Sequence, residues 1–142
     1  MNVVVLFDSL TGHTQEVAEY IGGAVQSQGH TVAVRPITAF DYHELSVADL
    51  VFVGTWVGGL VVVGHVPAGE GKFRKLPALD RKKAAVFLTY AIHAGKALDK
   101  AAAAIEERGA DVVAQQQFKR GKLSKGVDQF VSAALQQARV TA

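Results

Sequence analysis

The sequence contains no cysteine, which excludes disulfide bonds, thiolate metal sites and thiol-based catalysis. Any redox chemistry would therefore need a bound cofactor. No apolar run approaches the roughly 18 residues typical of a membrane-spanning helix. The N-terminal stretch MNVVVLFDS also lacks the basic region of a signal peptide. We therefore expect a cytoplasmic protein without a membrane span.

An excess of charge of one sign is also missing. The 15 basic and 13 acidic residues give a net charge of +2. A nucleic-acid-binding protein usually concentrates its basic residues on one face, whereas here they are spread along the chain apart from two short clusters. We therefore expect no nucleic-acid partner. His30, His43 and His65 show no metal-ligand spacing, so no metal site is expected either.

Apolar runs that alternate with helical patterns fill the 142 residues, a length that suits one domain over residues 1–142. The first, third and fourth runs are nearly continuous, as strands buried on both faces are. The second and fifth are more polar, which is typical of strands at the edges of a sheet. The five runs are Val3–Phe7, Thr31–Val34, Leu50–Gly54, Ala84–Thr89 and Asp111–Phe118.

Between these runs, apolar residues at spacings of three and four predict amphipathic helices. The alternation predicts an α/β fold, with a parallel sheet and helices on both of its faces. The glycine-rich stretch 55–71 is predicted to be a long functional or mobile loop. The stronger helix patterns are His13–Gln28, Ala97–Arg108 and Ser124–Arg139, the last with Ser124 as its N-cap, and the weaker ones are Phe40–Ser46 and Lys72–Leu79.

The segment between the first strand and the first helix is rich in hydroxyl groups. Ser9, Thr11 and Thr14 surround Gly12, which allows close backbone approach, and the segment contains no lysine or arginine. A helix N-terminus offers unpaired N–H groups and a partial positive charge. The pattern therefore predicts a site for a monophosphate held by neutral donors. The alternative is that the three hydroxyls only cap the helix and the turn.

The run VLFDSLTGHT resembles the FMN phosphate-loop signature of the flavodoxin family, and the strand spacing resembles that of a short-chain flavodoxin. The resemblance implies a three-layer flavodoxin-like sandwich, with a five-stranded parallel sheet of order 2-1-3-4-5. It also implies that FMN binds at the carboxyl ends of the strands, in accord with the rule for ligands at a topological switch point. The implied phosphate-binding residues are Ser9, Leu10, Thr11, Gly12, His13 and Thr14.

In flavodoxins, loops after the third and fourth strands hold the isoalloxazine ring, and the resemblance assigns this role to residues 55–64 and 89–95. Trp56 and Tyr90 are the candidates for stacking on the ring, although Trp56 could instead be a core residue. Gly58–Gly59 is the candidate for the family's peptide flip, or else a plain flexible turn. The implied ring-binding residues are Thr55, Trp56, Val57, Gly58, Gly59, Thr89, Tyr90, Ala91, His93 and Gly95.

The loop after the fourth strand departs from the family, because it carries His93 and Lys96 and has no acidic residue before Asp99. A nearby positive charge stabilises the anionic reduced flavin, so we expect a less negative hydroquinone couple than in acidic flavodoxins. We assign no catalytic residue: His13 and His93 are interpreted as loop residues without a proton-transfer role. The apolar run Leu60–Val63 could cover the ring, contact a partner, or form a short strand or hairpin.

Two basic clusters are either solvated surface or a docking patch for an acidic redox partner. Both lie in the second half of the chain, and flavodoxins usually present an acidic face instead. The expected partners are proteins that give electrons to the flavin and take them from it, and a monomer is favoured. The clusters are Lys72, Arg74, Lys75, Arg81, Lys82 and Lys83, and Lys119, Arg120, Lys122 and Lys125.

The function that the resemblance implies is electron transfer by bound FMN. One alternative is an FMN enzyme, such as a small NAD(P)H:quinone reductase or a protoporphyrinogen-oxidising protein. Another is a flavin-free regulatory or assembly module with the same fold. A phosphorelay receiver is excluded because Asp8 stands alone and no aspartate follows the third strand. A corrinoid-binding domain is excluded because the D-x-H-x-x-G loop is missing.

Overall fold

In this computed structural model, parallel strands form a sheet with helices on both faces. The structure describes residues 1–9, 11–58, 66–67, 73 and 75–140. The strands are β1 (Asn2–Phe7), β2 (Thr31–Pro36), β3 (Leu50–Gly58), β4 (Val66–Pro67), β5 (Lys83–Tyr90) and β6 (Asp111–Lys119). The helices are α1 (His13–Ser27), α2 (Tyr42–Val47), α3 (Ala97–Glu106) and α4 (Val127–Val140), with a 3₁₀ turn at Ile37–Ala39.

The main strands lie in the order β2-β1-β3-β5-β6, and all four neighbouring pairs are parallel. This arrangement confirms the predicted 2-1-3-4-5 sheet. The two polar runs form its edges, as expected. The short strand β4 lies outside this order and pairs antiparallel with the end of β3.

Successive residues of a strand point to opposite faces of the sheet, and the core is divided accordingly. On β1, Val3, Val5 and Phe7 belong to the cluster covered by α1 and α4, whereas Val4 and Leu6 belong to the cluster on the α2 and α3 face. Each fully buried side chain of this size contributes about 1.5–3 kcal/mol to folding. Continuous apolar strands are therefore required here, because both faces of the sheet are covered by helices.

Gly54 in the middle of β3 permits especially close packing. A Cβ atom at this position would overlap the ring of Phe87 on β5, and both residues face α1 and α4. The ring therefore occupies the space that any larger residue at position 54 would need. This contact fixes the separation of two strands whose carboxyl ends form part of the site described below.

Two boundaries differ from the prediction by three residues or more. The third strand does not end at Gly54 but continues to Gly58, because Trp56 pairs with Thr89 of β5 and the last residues pair with β4. The last helix begins at Val127 and not at Ser124, because its first i to i+4 hydrogen bond starts from the carbonyl of Gly126. Ser124 is therefore not the N-cap.

Part of the predicted short helix Lys72–Leu79 lies outside the described residues, and so does the run Leu60–Val63. Within the described part of the chain, no helix is long and apolar enough to cross a membrane.

Candidate functional site

The carboxyl ends of β1, β3 and β5 lie side by side at one edge of the sheet. The Asp8 N–H donates to the Gly54 carbonyl at 2.9 Å, which joins the end of β1 to β3. The Thr14 and Thr89 hydroxyls are 2.9 Å apart, which joins the first turn of α1 to the end of β5. The residues at the end of β1 and the start of α1 are thereby held against the ends of β3 and β5.

Gly12 shapes the segment between β1 and α1. It is the N-cap of α1 with a φ of 95°, a left-handed conformation that favours glycine. Its N–H donates to the Ser9 hydroxyl at 3.0 Å, and its carbonyl accepts from the N–H of Glu16 at 2.9 Å. Ser9 therefore closes the turn, which is part of what the capping interpretation requires.

The N-cap residue of α1 offers no side-chain cap. Gly12 has no side chain that could accept a hydrogen bond from the first N–H groups of the helix, although such a cap is common at helix N-termini. Space is also open around Gly12, since a Cβ atom there would meet no described atom within 4 Å. The N-terminus of α1 therefore leaves its N–H groups available to an anion.

The predicted hydroxyl ligands take different positions. Thr11 is exposed, and its hydroxyl lies 2.7 Å from Nδ1 of His13. Thr14 is 1% exposed, and its hydroxyl contacts Thr89, which is equally buried. Leu10 lies outside the described residues. The side chains available at the surface of this loop are therefore those of Ser9, Thr11 and His13.

A buried carboxylate beneath the loop was not among the predicted site residues. Asp8 is 7% exposed, and the hydroxyl of fully buried Thr55 donates to its Oδ2 across 3.5 Å. An acidic residue directly after a buried strand was the signal that could have identified it. Beside it lies a cavity of about 320 Å³, lined by Phe7, Asp8, Ser9, Gly12, Gln15, Pro36, Ile37 and Thr38.

The residues predicted to hold a flat ring follow on β3 and β5. Trp56 is half-buried within β3, so it is neither a loop residue nor a fully buried core residue. Tyr90 ends β5, is also half-buried, and packs with Val57 against the small cluster formed by Leu88, Ala94 and Ala97. The strand register places Trp56 on the α1 face of the sheet and Tyr90 on the α3 face.

The remaining predicted ring-binding residues form the rim of this edge. Ala91, His93 and Gly95 are exposed, and Gly95 has a φ of 55°. The backbone of Gly58 pairs with Val66, whereas Gly59 lies outside the described residues. No group of histidine, cysteine or carboxylate side chains in the described ranges could hold a metal ion.

The flavodoxin domain model matches residues 4–141. This chain belongs to the flavodoxin domain family. Flavodoxins bind FMN and carry electrons, and this chain is accordingly an FMN-binding electron carrier. No curated protein matches the chain.

Solved structures share the flavodoxin fold with this chain. The two-electron reduced flavodoxin of Megasphaera elsdenii is 21% identical, with a TM-score of 0.77 over 96% of this chain and 98% of that one. Oxidised flavodoxin 1 of Bacillus cereus is 24% identical, with a TM-score of 0.71 over 94% and 97%. Rubredoxin oxygen:oxidoreductase of Desulfovibrio gigas is 23% identical, with a TM-score of 0.74 over 97% of this chain and only 35% of that one.

Basic residues lie around this edge of the sheet. His93 and Lys96 are exposed on the loop after β5, whereas the first acidic residue that follows them, Asp99, accepts a hydrogen bond from Gln115 of β6 at 2.9 Å. The N–H of Arg120 donates to the Tyr90 carbonyl at 2.9 Å, which brings a second basic loop to the same edge. Positive charge therefore borders the carboxyl edge of the sheet near Tyr90.

Proposed function

We propose that the N-terminus of α1 binds the FMN phosphate, with Thr11 and Ser9 donating from the preceding loop. The observation that carries this proposal is the glycine N-cap of α1, which provides no side-chain cap, next to the exposed Thr11 hydroxyl. A dianionic phosphate suits such a site because unpaired N–H groups and the helix dipole both favour negative charge. Bound FMN supplies the electron-accepting group that the cysteine-free chain lacks.

The ring of FMN then lies at the ends of β3 and β5. Trp56 and Tyr90 are both half-buried and extend from opposite faces of the sheet at neighbouring strand ends. Two aromatic side chains placed in this way can flank a flat ring and shield it from solvent. Gly58 provides backbone near the ring edge, and Thr89, Ala91, His93 and Gly95 line the other side. Shielding of this kind favours a carrier over an enzyme that admits a substrate.

The partners of such a carrier are proteins that deliver and remove electrons in the cytoplasm, with this chain acting as a monomer. We propose that at least one of them is acidic. The support is the net charge of +2 together with the basic residues at the site edge, since opposite charges steer the encounter of redox proteins.

A titration of the apoprotein with FMN, followed by the quenching of flavin fluorescence, tests the proposal. Each hydrogen bond to a charged group contributes about 1.5–3 kcal/mol, so Thr11→Val should raise the dissociation constant roughly 10- to 150-fold. Thr31→Val is the matched control, because Thr31 is exposed at the opposite end of the sheet. Equal affinity in Thr11→Val and the control would place the phosphate elsewhere.

The choice between carrier and enzyme needs a separate measurement. The FMN-loaded protein should show no rapid turnover when it is mixed with NAD(P)H and a quinone. Rapid turnover without an added reductase would instead establish a quinone reductase. A protein that stays colourless after FMN is added would support the flavin-free module.

A further inference from the structure

Described basic residues of the two clusters lie at opposite ends of the sheet. Arg81, Lys82 and Lys83 precede or begin β5 and therefore lie at its amino end, away from the proposed flavin site. Lys72 and Arg74 lie outside the described residues. Lys119 ends β6, and Arg120 follows it at the carboxyl end. Arg81, Lys82 and Lys83 are therefore remote from the proposed ring site, whereas the second cluster is next to it.

Two of the basic side chains at the amino end of the sheet form contacts within the fold. The Lys82 ammonium donates to the carbonyls of Ser46 and Ala48, at 3.2 Å each, near the end of α2. The Lys83 ammonium forms an ion pair with Asp111 on the neighbouring strand. Both lysines hold elements together, and the charge of Lys83 is offset by that of Asp111.

The cations at the carboxyl end have no such role. Lys119, Arg120, Lys122 and Lys125 are all exposed, and none of them forms an ion pair with a described residue. Residues 119–126 contain these four basic residues and no acidic one. We name these four side chains the carboxyl-end cluster.

Backbone hydrogen bonds hold the loop that carries the carboxyl-end cluster in consecutive turns. The N–H of Lys122 bonds to the Lys119 carbonyl at 2.9 Å, and the N–H of Lys125 bonds to the Lys122 carbonyl at 3.1 Å. Leu123 is 7% exposed and anchors the loop in the core. The cluster is therefore displayed by consecutive turns next to Tyr90.

An apolar side chain accompanies these charges. Ile92 is 61% exposed on the loop after β5, two residues beyond Tyr90, and Lys96 is exposed on the same loop. Interfaces commonly combine a small apolar centre with a charged rim, in which the centre supplies affinity and the rim steers the encounter.

We propose that the carboxyl-end cluster, together with Ile92 and Lys96, is the docking surface for an acidic redox protein. This inference rests on the proposed function, because the surface matters for electron transfer only if FMN lies between the ends of β3 and β5. It assigns the partner to one face and excludes the basic residues at the amino end of the sheet. The partner needs a patch of carboxylates around its own redox centre.

The test measures the binding of an acidic [2Fe–2S] ferredoxin to the FMN-loaded protein by isothermal titration calorimetry at low salt. Arg120→Glu/Lys122→Glu reverses charge at the carboxyl end. Arg81→Glu/Arg139→Glu is the matched control, because these two arginines line a cavity at the amino end of the sheet. Each pair replaces two positive by two negative charges, which changes the net charge from +2 to −2 in both variants.

We expect the carboxyl-end variant to bind the ferredoxin at least about tenfold more weakly than the wild type, and the control to stay within about twofold. An equal loss of affinity in both variants would show that only the net charge of the protein matters, and it would overturn the proposal. Unchanged affinity in the carboxyl-end variant would overturn it as well. Ile92→Ala should weaken binding while leaving the salt dependence unchanged.

Two further measurements keep the outcome interpretable. The affinity of the wild type for the ferredoxin should fall as ionic strength rises from about 0.01 M to about 0.15 M, because the screening length shrinks from about 30 Å to about 8 Å. An affinity that does not change with salt would overturn the docking proposal. This measurement does not depend on the folding of any variant. The flavin absorption spectrum is recorded for every sample. A wild type without flavin refutes the proposed function, whereas intact flavin binding with no effect of charge reversal refutes the docking surface alone.

Discussion

Replacement of Thr14 by valine should destabilise the apoprotein. The Thr14 hydroxyl has its partner in the Thr89 hydroxyl at 2.9 Å, and both residues are 1% exposed. Valine has nearly the shape of threonine but cannot form a hydrogen bond. Thr14→Val therefore leaves the Thr89 hydroxyl buried away from water without this partner.

The expected cost is about 1–3 kcal/mol, the penalty for a buried polar group that has lost its partner. For a domain of this size, it corresponds to a fall in melting temperature of about 3–12 °C. Thr14→Val/Thr89→Val should recover most of this loss and lie within about 1 kcal/mol of the wild type, because replacement of both partners by apolar groups of the same shape is nearly neutral. Thr11→Val, at an exposed position, should stay within about 0.5 kcal/mol.

Urea unfolding of the four apoproteins, followed by circular dichroism, measures these differences. The reasoning would be refuted if the double variant were no more stable than Thr14→Val. FMN titration of the double variant then separates folding from binding. We expect its affinity to stay close to that of the wild type, because the Thr14 hydroxyl is buried against Thr89 and is not among the groups proposed to hold the phosphate.

Three other changes have defined outcomes. Lys96→Glu should make the hydroquinone potential of the FMN-loaded protein more negative in a redox titration, since it replaces a positive by a negative charge beside the proposed ring site. Gly54→Ala should destabilise the protein by about 1–3 kcal/mol in urea unfolding, because its Cβ overlaps the Phe87 ring. Desolvation, the N-terminal ammonium group and Arg139 lower the pKa of His30 below 6.5, so its neutral form stabilises the fold at neutral pH. The wild type should therefore lose unfolding free energy as pH falls through the lowered pKa of His30, because folding then opposes protonation of this side chain. His30→Gln cannot be protonated, so its unfolding free energy should fall less on acidification.

Each of these expectations has a contrary result. A hydroquinone potential that is unchanged or less negative in Lys96→Glu would show that the charge at position 96 does not stabilise the reduced flavin. Gly23→Ala is the control for Gly54→Ala, because a Cβ atom at Gly23 meets nothing within 4 Å; equal destabilisation of both would argue against the Phe87 overlap. An identical pH dependence of stability in the wild type and His30→Gln would show that His30 does not titrate with folding.

Much of the fold followed from the sequence. Continuous apolar runs predicted the central strands, more polar runs predicted the edges β2 and β6, and recurring apolar residues at spacings of three and four predicted α1 and α3. These features depend on short-range rules: side chains alternate along a strand, recur every three or four residues along a helix, and leave unpaired N–H groups where a helix begins. The family resemblance then supplied the strand order, which the structure confirmed.

The tertiary structure determined which side chains contact each other and which are exposed. Thr11 and Thr14 look equivalent in the sequence, yet one is exposed and the other is buried against Thr89, 75 residues away. Trp56 belongs to β3 because β4 and β5 extend its pairing. The basic cluster that begins at Lys119 borders the proposed flavin site, whereas Arg81, Lys82 and Lys83 lie at the other end of the sheet. Such contacts depend on the register and packing of distant segments, and the local pattern of residues around each position does not contain that information.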